Sequence, residues 1–259
     1  MILLLLLLSL ISGLIATYIF ILLRYHDTSL PSLDLTSSKN ILFIFPHPDD
    51  ETMATGGLIN SLSKIKNIHV ISTTHGENGI ELLNLPSNEL GNIRKKEFEC
   101  VMKKLNVKKL EIWEFEDGDC EKAFIEIKNK VKEYINKNSI DTIFTFERTG
   151  LYPHPDHIIL SKIIHEITKE KKDLQVVYST LTKKLREKAN LPTKLTYRDR
   201  EVVLKDLDPS LPQYKVFIFK SLYAKYRAAK CYKSQKLNGN MPLWLELFLM
   251  PVEYYTTKY

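Results

Sequence analysis

The chain has 259 residues, of which 44 % are hydrophobic, and 37 Lys and Arg against 31 Asp and Glu give a formal net charge of +6. These proportions exclude a disordered chain and leave room for one sizeable folded domain with its own core. The positive excess lies in short mixed runs such as Lys183-Lys184-Leu185-Arg186-Glu187-Lys188. Such runs read as solvated helix faces, or more sharply as attraction to an anionic membrane leaflet; no basic helix or nucleic-acid motif stands out, so no nucleic-acid partner is expected.

Residues 1–23 carry no charged side chain and are mostly Leu and Ile. That length suffices for a transmembrane helix. A cleaved signal would have basic residues before a shorter apolar stretch and a small-residue cleavage site after it, whereas here the first cation, Arg24, follows the run. The reading is a retained single-pass anchor over 1–23, with the side bearing Arg24 facing the cytosol. Cys100, Cys120 and Cys231 form an odd set without regular spacing, which suits a reducing compartment better than a disulfide framework. Residues 24–39, containing Pro and several Ser, read as a linker, and 40–259 as one catalytic domain.

Strand-like runs recur at 41–45, 68–73, 110–115, 142–146 and 174–178, separated by segments of helical period such as 92–105, where Ile93, Phe98, Val101, Met102 and Leu105 form a stripe. This alternation predicts an α/β fold, a mostly parallel sheet with helices on both faces. Further on, 200–204 and 214–219 read as late strands and 220–235 as a helix. The apolar tail 241–250, with Trp244, is too short to span a bilayer; it is expected to pack on the domain, with interfacial membrane contact as the alternative.

The chemistry gathers at two strand ends. Pro46-His47-Pro48-Asp49-Asp50 follows the first strand directly and precedes Glu51 and a helix expected over 51–65; His154-Pro155-Asp156-His157 follows the fourth. A histidine and carboxylates crowded at the end of a buried strand repel one another unless something positive sits among them, and a divalent metal is the obvious candidate. In an open α/β sheet, the strand ends are where ligands bind, so the two clusters can meet there. Three nitrogen and oxygen ligands plus a water make a catalytic rather than a structural zinc site. The plainer reading of Asp49 and Asp50 is helix capping. His75 follows the second strand and is placed at the mouth of the same crevice. His165, about 12 Å along a helix from His157, cannot share the metal; His26 and His69 are read as structural or exposed.

Together, the strand–PHPDDE turn, the later HPDH and the intervening Arg94-Lys95-Lys96-Glu97 resemble the LmbE-like metal-dependent de-N-acetylases, in particular the N-acetylglucosaminyl-phosphatidylinositol de-N-acetylase (PIG-L) branch, over about residues 40 to 160. The resemblance implies a Rossmann-like fold and zinc-dependent (or other divalent-metal) hydrolysis of the acetamide of an N-acetylglucosamine unit. On it, the metal ligands are His47, Asp50 and His157. Asp49 is the general base, His154 a catalytic histidine and Tyr152 an aid to the oxyanion; the chemistry of amide hydrolysis itself gives a protonated His154 one of two roles, stabilising the oxyanion or supplying the leaving-group proton. Arg94 is either a substrate contact or a partner of Glu97 on the helix face. The glycolipid substrate, the membrane as partner and an endoplasmic reticulum location, with the domain toward the cytosol, are further implications. The chain departs from the family pattern at Glu147, where many members have Asp, at Tyr152-Pro153, where they have Ser-Gly, and at Tyr232-Lys233-Ser234-Gln235, where His-x-Ser-Gln is common.

Overall fold

Ile41 to Phe45 are at most 1 % exposed, because the strand they form, β1 (Asn40–Phe45), is covered on both faces. The computed structural model describes residues 1–79, 82–83, 85–197, 200–204, 208–239 and 241–259. After an N-terminal helix, α1 (Ile2–Tyr25), β1 pairs in parallel with β2 (Asn67–Thr74) on one side and β4 (Thr142–Phe146) on the other. Parallel pairing continues to β3 (Lys109–Phe115) beyond β2 and to β5 (Gln175–Thr180) beyond β4. Two antiparallel strands, β9 (Val252–Thr256) and then β8 (Tyr214–Phe217), close the far edge, giving the order β3-β2-β1-β4-β5-β9-β8. β6 (Lys194–Tyr197) and β7 (Arg200–Val203) form a separate hairpin, so the run expected at 200–204 pairs outside the main sheet.

Alternate residues of β1 face two apolar cores. Ile41, Phe43 and Phe45 pack with α2 (Asp50–Leu62) and α3 (Ser87–Leu105) through Leu58, Ile59, Phe98 and Met102. Leu42 and Ile44 pack with α4 (Phe124–Asn138) and α5 (Pro155–Glu170) through Ile127, Val131, Leu160 and Ile163. The result is a mixed α/β fold with helices on both faces, as expected. What the sequence reading lacked is the antiparallel edge. β9 contains a buried glutamate, Glu253, neutralised by Lys225 at 2.8 Å and so able to sit in a strand that pattern alone does not suggest.

Three further segments differ from expectation. Beyond the short α6 (Lys183–Lys188), the helix read over 220–235 shortens to α7 (Leu222–Ala229), because Glu97 on α3 takes the N–H groups of Lys233 and Ser234 at 2.8 and 2.9 Å and draws that stretch away from helical pairing. Cys100 and Cys231 form a disulfide, bridging α3 to the residue pair after α7. The cysteine reading is thereby corrected: two of the three thiols are paired, the pair is 131 residues apart in sequence, and cysteine usage no longer argues for a reducing compartment. Finally, residues 26–35 lie on the domain. His26 is buried with its Nε2 2.8 Å from the Leu249 carbonyl, and Leu33 and Pro31 exchange backbone hydrogen bonds with Lys215 on β8.

α1 is long and apolar enough to cross a membrane, and none of its residues is buried against the domain. The tail forms α8 (Leu243–Leu249), which touches α1 where Phe248 stacks on Tyr18 with ring centroids 4.5 Å apart.

Candidate active site

Two turns at the C-terminal ends of adjacent strands build the site. After β1 the backbone reverses through Asp49 at φ 116°, a conformation L-residues rarely adopt and one held here by ties from every side. The Asp49 carbonyl accepts the Thr52 and Met53 N–H groups at 3.0 Å, its own N–H donates to Glu51 at 3.1 Å, and the His47 N–H donates to the Asp50 carboxylate at 3.0 Å. After β4, the chain turns through Gly150 at φ 69°, where a Cβ would stand 2.4 Å from that of His157. Pro155 then opens α5, with the preceding His154 as its N-cap.

These turns bring His47 Nδ1, Asp50 Oδ2 and His157 Nε2 to within 3.2, 3.3 and 3.4 Å of one another. The outer nitrogens decide what faces inward. His157 Nδ1 donates to the Gly150 carbonyl at 2.9 Å, and His47 Nε2 faces Asp117 Oδ1 at 3.0 Å and Asp156 Oδ2 at 3.3 Å. With the ring protons placed outward, two imidazole lone pairs and a carboxylate oxygen converge, and such a trio is stable only around a positive charge. Atoms bound tetrahedrally at about 2.0–2.1 Å stand about 3.4 Å from one another, so the triangle fits a zinc-sized ion. Electrostatics points the same way. Burial opposes charge on His47, yet Asp117, with Asp156 and Asp50, more than reverses it and raises its pKa well above the ordinary value. Burial likewise opposes ionisation of Asp50, but His157 and His47 outweigh it and hold that carboxyl low. His154 offers a further nitrogen within 4.8 Å of the His47 and His157 ring nitrogens.

The remaining expected residues divide. Asp49 lines the cleft beside Asp50; desolvation raises its carboxyl to about 8 against the pull of Arg94. Tyr152 also lines the cleft, its ring 4.8 Å from that of His157. His154 accepts the Asp156 N–H at Nδ1, and burial, together with His47 and His157, lowers its pKa to about 3. Both observations favour a neutral His154 carrying its hydrogen on Nε2, in place of the protonated imidazole expected from the chemistry of amide hydrolysis. Arg94 has partners other than those expected. It is 3 % exposed and sits behind the turn, donating to the Pro48 and Gly76 carbonyls and pairing with Asp49, not with Glu97 and not toward the cleft. His75 is half-buried against Gly91 on α3, with a buried Nε2 lacking a hydrogen-bond partner, and does not line the cavity that contains Asp49.

Four supporting residues receive no role from sequence, although Asp156, Glu147 and Tyr232 stand in segments it singles out. Asp117 and Asp156 back His47; Asp156 is fixed by the Gly118 and Cys120 N–H groups at 2.6 and 3.1 Å, and Asp117 by that of Asn78 at 2.9 Å. Tyr232 donates to Glu51 at 2.8 Å. Glu147 points away from the metal triangle and gathers the N–H groups of Thr149, Leu151 and Ser210 and the guanidinium of Arg186, so it shapes the loop carrying Tyr152. Asp117-Gly118-Asp119 just after an apolar strand was the available signal for the first of these.

A mixed α/β sheet with a His/Asp cluster suited to a divalent ion at its strand ends defines a metal-site α/β protein. The PIG-L family, described as GlcNAc-PI de-N-acetylase, matches residues 42–190, more than half of the chain, and the chain belongs to that family. It is 26 % identical over 173 residues to a probable N-acetylglucosaminyl-phosphatidylinositol de-N-acetylase of Schizosaccharomyces pombe, covering 64 % of this chain and 66 % of that one. It is also 26 % identical over 164 residues to a 1D-myo-inositol 2-acetamido-2-deoxy-alpha-D-glucopyranoside deacetylase of Corynebacterium glutamicum, covering 54 % and 57 %. In both cases the match spans less than two thirds of the relative. The N,N'-diacetylchitobiose deacetylase of Pyrococcus horikoshii shares the fold, with a TM-score of 0.58 and 23 % identity over 86 % of this chain and 85 % of that one.

Proposed function

We propose that this protein is a divalent-metal-dependent, most simply zinc-dependent, deacetylase that hydrolyses the acetamide of N-acetylglucosaminyl-phosphatidylinositol, releasing acetate. The observation that carries the metal chemistry is the triangle of acceptor atoms from His47, Asp50 and His157. Membership of the PIG-L family and the likeness to the S. pombe protein support the acetamido-sugar substrate. The apolar α1 supports a lipid-linked one, met at a membrane, which we place at the cytosolic face of the endoplasmic reticulum.

His47, Asp50 and His157 would hold a divalent ion, which would supply polarisation of an amide carbonyl and a water of pKa about 7. Asp49, next to a ligand and at the cleft surface, takes the water proton and passes it to the amine nitrogen as the C–N bond breaks; a carboxyl raised to about 8 exchanges a proton readily near neutrality. Neutral His154 donates from Nε2 to the oxygen that becomes negative in the tetrahedral state, which suits a group whose protonation is disfavoured by two neighbouring imidazoles. Tyr152, whose ring is 6.3 Å from that of His154, donates to the same oxygen in this reading. Arg94 holds Asp49 in place from behind.

Acetate release from the inositol glycolipid by the detergent-solubilised protein, with and without a chelator, tests this reading. Turnover that the chelator abolishes and that added zinc restores is the expected result. Turnover of only soluble N-acetylglucosamine conjugates, the substrate type named for the C. glutamicum relative, would replace the lipid assignment while keeping the chemistry.

A further inference from the structure

α8 has an unusual division of faces. Its Leu247 is buried and lines a cavity of 550 Å³ whose other end holds Asp49 and Asp50. Its sole charge, Glu246, also lines that cavity and accepts the Gly239 N–H at 2.9 Å, while Trp244 and Phe248, one turn apart on the face away from Glu246, are 56 % and 45 % accessible. The helix is a single wall between the cleft and whatever lies outside.

What lies outside follows from α1. Phe248 stacks on Tyr18, whose hydroxyl donates to the Phe248 carbonyl at 3.0 Å, so α8 is pinned at the height of Tyr18. The first charged residue, Arg24, comes six positions later, about 9 Å farther along the helix axis. Between the two, Ile19, Phe20 and Leu23 remain 48, 67 and 63 % exposed. Where α1 crosses a bilayer, its apolar boundary cannot lie on the membrane side of these residues, and Phe248 then falls inside that boundary. A Trp and a Phe without an outward charge suit this depth.

We propose that α8 is embedded in the interfacial layer of the leaflet entered by α1, and that the cavity behind it receives the apolar end of the lipid substrate sideways from the bilayer. Met53, Leu151, Leu247 and Met250 give that cavity its apolar walls, while the acetamide stands at Asp49 and Asp50. The inference rests on the glycolipid reading above for the identity of the lipid, but not for the placement of α8.

The test uses the full chain reconstituted in phosphatidylcholine vesicles. The two tryptophans are Trp113 and Trp244, so the Trp244 signal is the emission of Trp113→Phe, or, should that variant misfold, the difference between wild type and Trp244→Phe. Acyl chains brominated near the headgroup should quench Trp244 and aqueous iodide should not. Quenching by iodide, or by neither reagent because protein covers the face, would overturn the placement. Entry is read separately with a phosphatidylinositol carrying a photoactivatable acyl chain. Labelling of Met53 or Leu151 supports it, and labelling confined to α1 and the outer face of α8 overturns it. Both readings are independent of turnover, so an inactive protein with a quenched Trp244 would sink the proposed reaction and leave the membrane placement standing. In an active one, Phe248→Glu should raise KM for the vesicle-borne glycolipid about tenfold and leave a short-chain soluble analogue unaffected.

Discussion

The Arg94 Nη2 atom lies 3.1 Å from Asp49 Oδ2 and donates also to the Pro48 carbonyl, while Nη1 reaches the Gly76 carbonyl at 2.7 Å. One guanidinium thus holds the strained turn of Asp49 against the loop after β2. An ammonium cannot span three such acceptors. Arg94→Lys is expected to lower kcat about a hundredfold with KM nearly unchanged, the mark of a misplaced base; a KM effect alone would return Arg94 to substrate binding.

Asp49→Asn keeps the shape of the turn and removes the proton acceptor. We expect kcat to fall about a thousandfold with metal content per chain unaltered, whereas His47→Ala loses both. Retention of most activity by Asp49→Asn would reassign the base.

Asp117 touches the metal triangle only through His47 Nε2, at 3.0 Å. Asp117→Asn should therefore weaken metal affinity about 10- to 100-fold and regain most activity at saturating zinc. An unchanged affinity would show that Asp117 does not orient His47.

His69 is buried on β2 between Tyr134, at 2.9 Å, and Lys109, at 3.3 Å; burial, reinforced by the Lys109 charge, lowers its pKa to about 4. The unfolded chain takes up this proton near 6.5 and the folded one only near 4. The full contribution is thus present above pH 6.5 and is lost as pH falls toward 4, about 2 kcal/mol by pH 5. Denaturant titrations of metal-free protein at pH 7 and 5 should show that loss in the wild type and a smaller one in His69→Gln.

The Cys100–Cys231 bond closes a loop over 131 residues. Reduction, or Cys231→Ser, should cost about 3 kcal/mol of stability. If reductant leaves the denaturation midpoint of the wild type unmoved, the two thiols are not bonded in the purified protein.

β1, β2, β4 and β5 can be read from sequence because strands inside a sheet covered on both faces need apolar runs, and Ile41 to Phe45 is such a run; β3, at the sheet edge, shows only as apolar residues interrupted by Glu111 and Glu114. His47, Asp50 and His157 can be read because each stands within a few residues of a strand end, where topology brings loops together. Asp117 is equally close to its strand end, but its neighbours there, Glu116 and Asp119, are further acids, and no histidine stands beside it to mark a metal ligand set. β9 carries Glu253 in a buried position, intelligible only once Lys225 and the Gly57 and Leu58 N–H groups are seen around it. Cys100 and Cys231 are separated by too much chain for spacing to betray them. The direction of Arg94 was open for another reason: helix period tells which residues share a face with Glu97, and not that the guanidinium would be claimed by carbonyls of two loops.

The stem between α1 and β1 is docked, with His26 locked to the Leu249 carbonyl and Pro31 and Leu33 zipped onto β8. With α1 in a bilayer, the catalytic cleft then stands at a fixed altitude, set by the fold and not by the average reach of a tether. On the proposed glycolipid reading, the protein searches in two dimensions and gauges headgroups: an amide carried too near the lipid surface, or too far above it, slides past without ever coming level with Asp49.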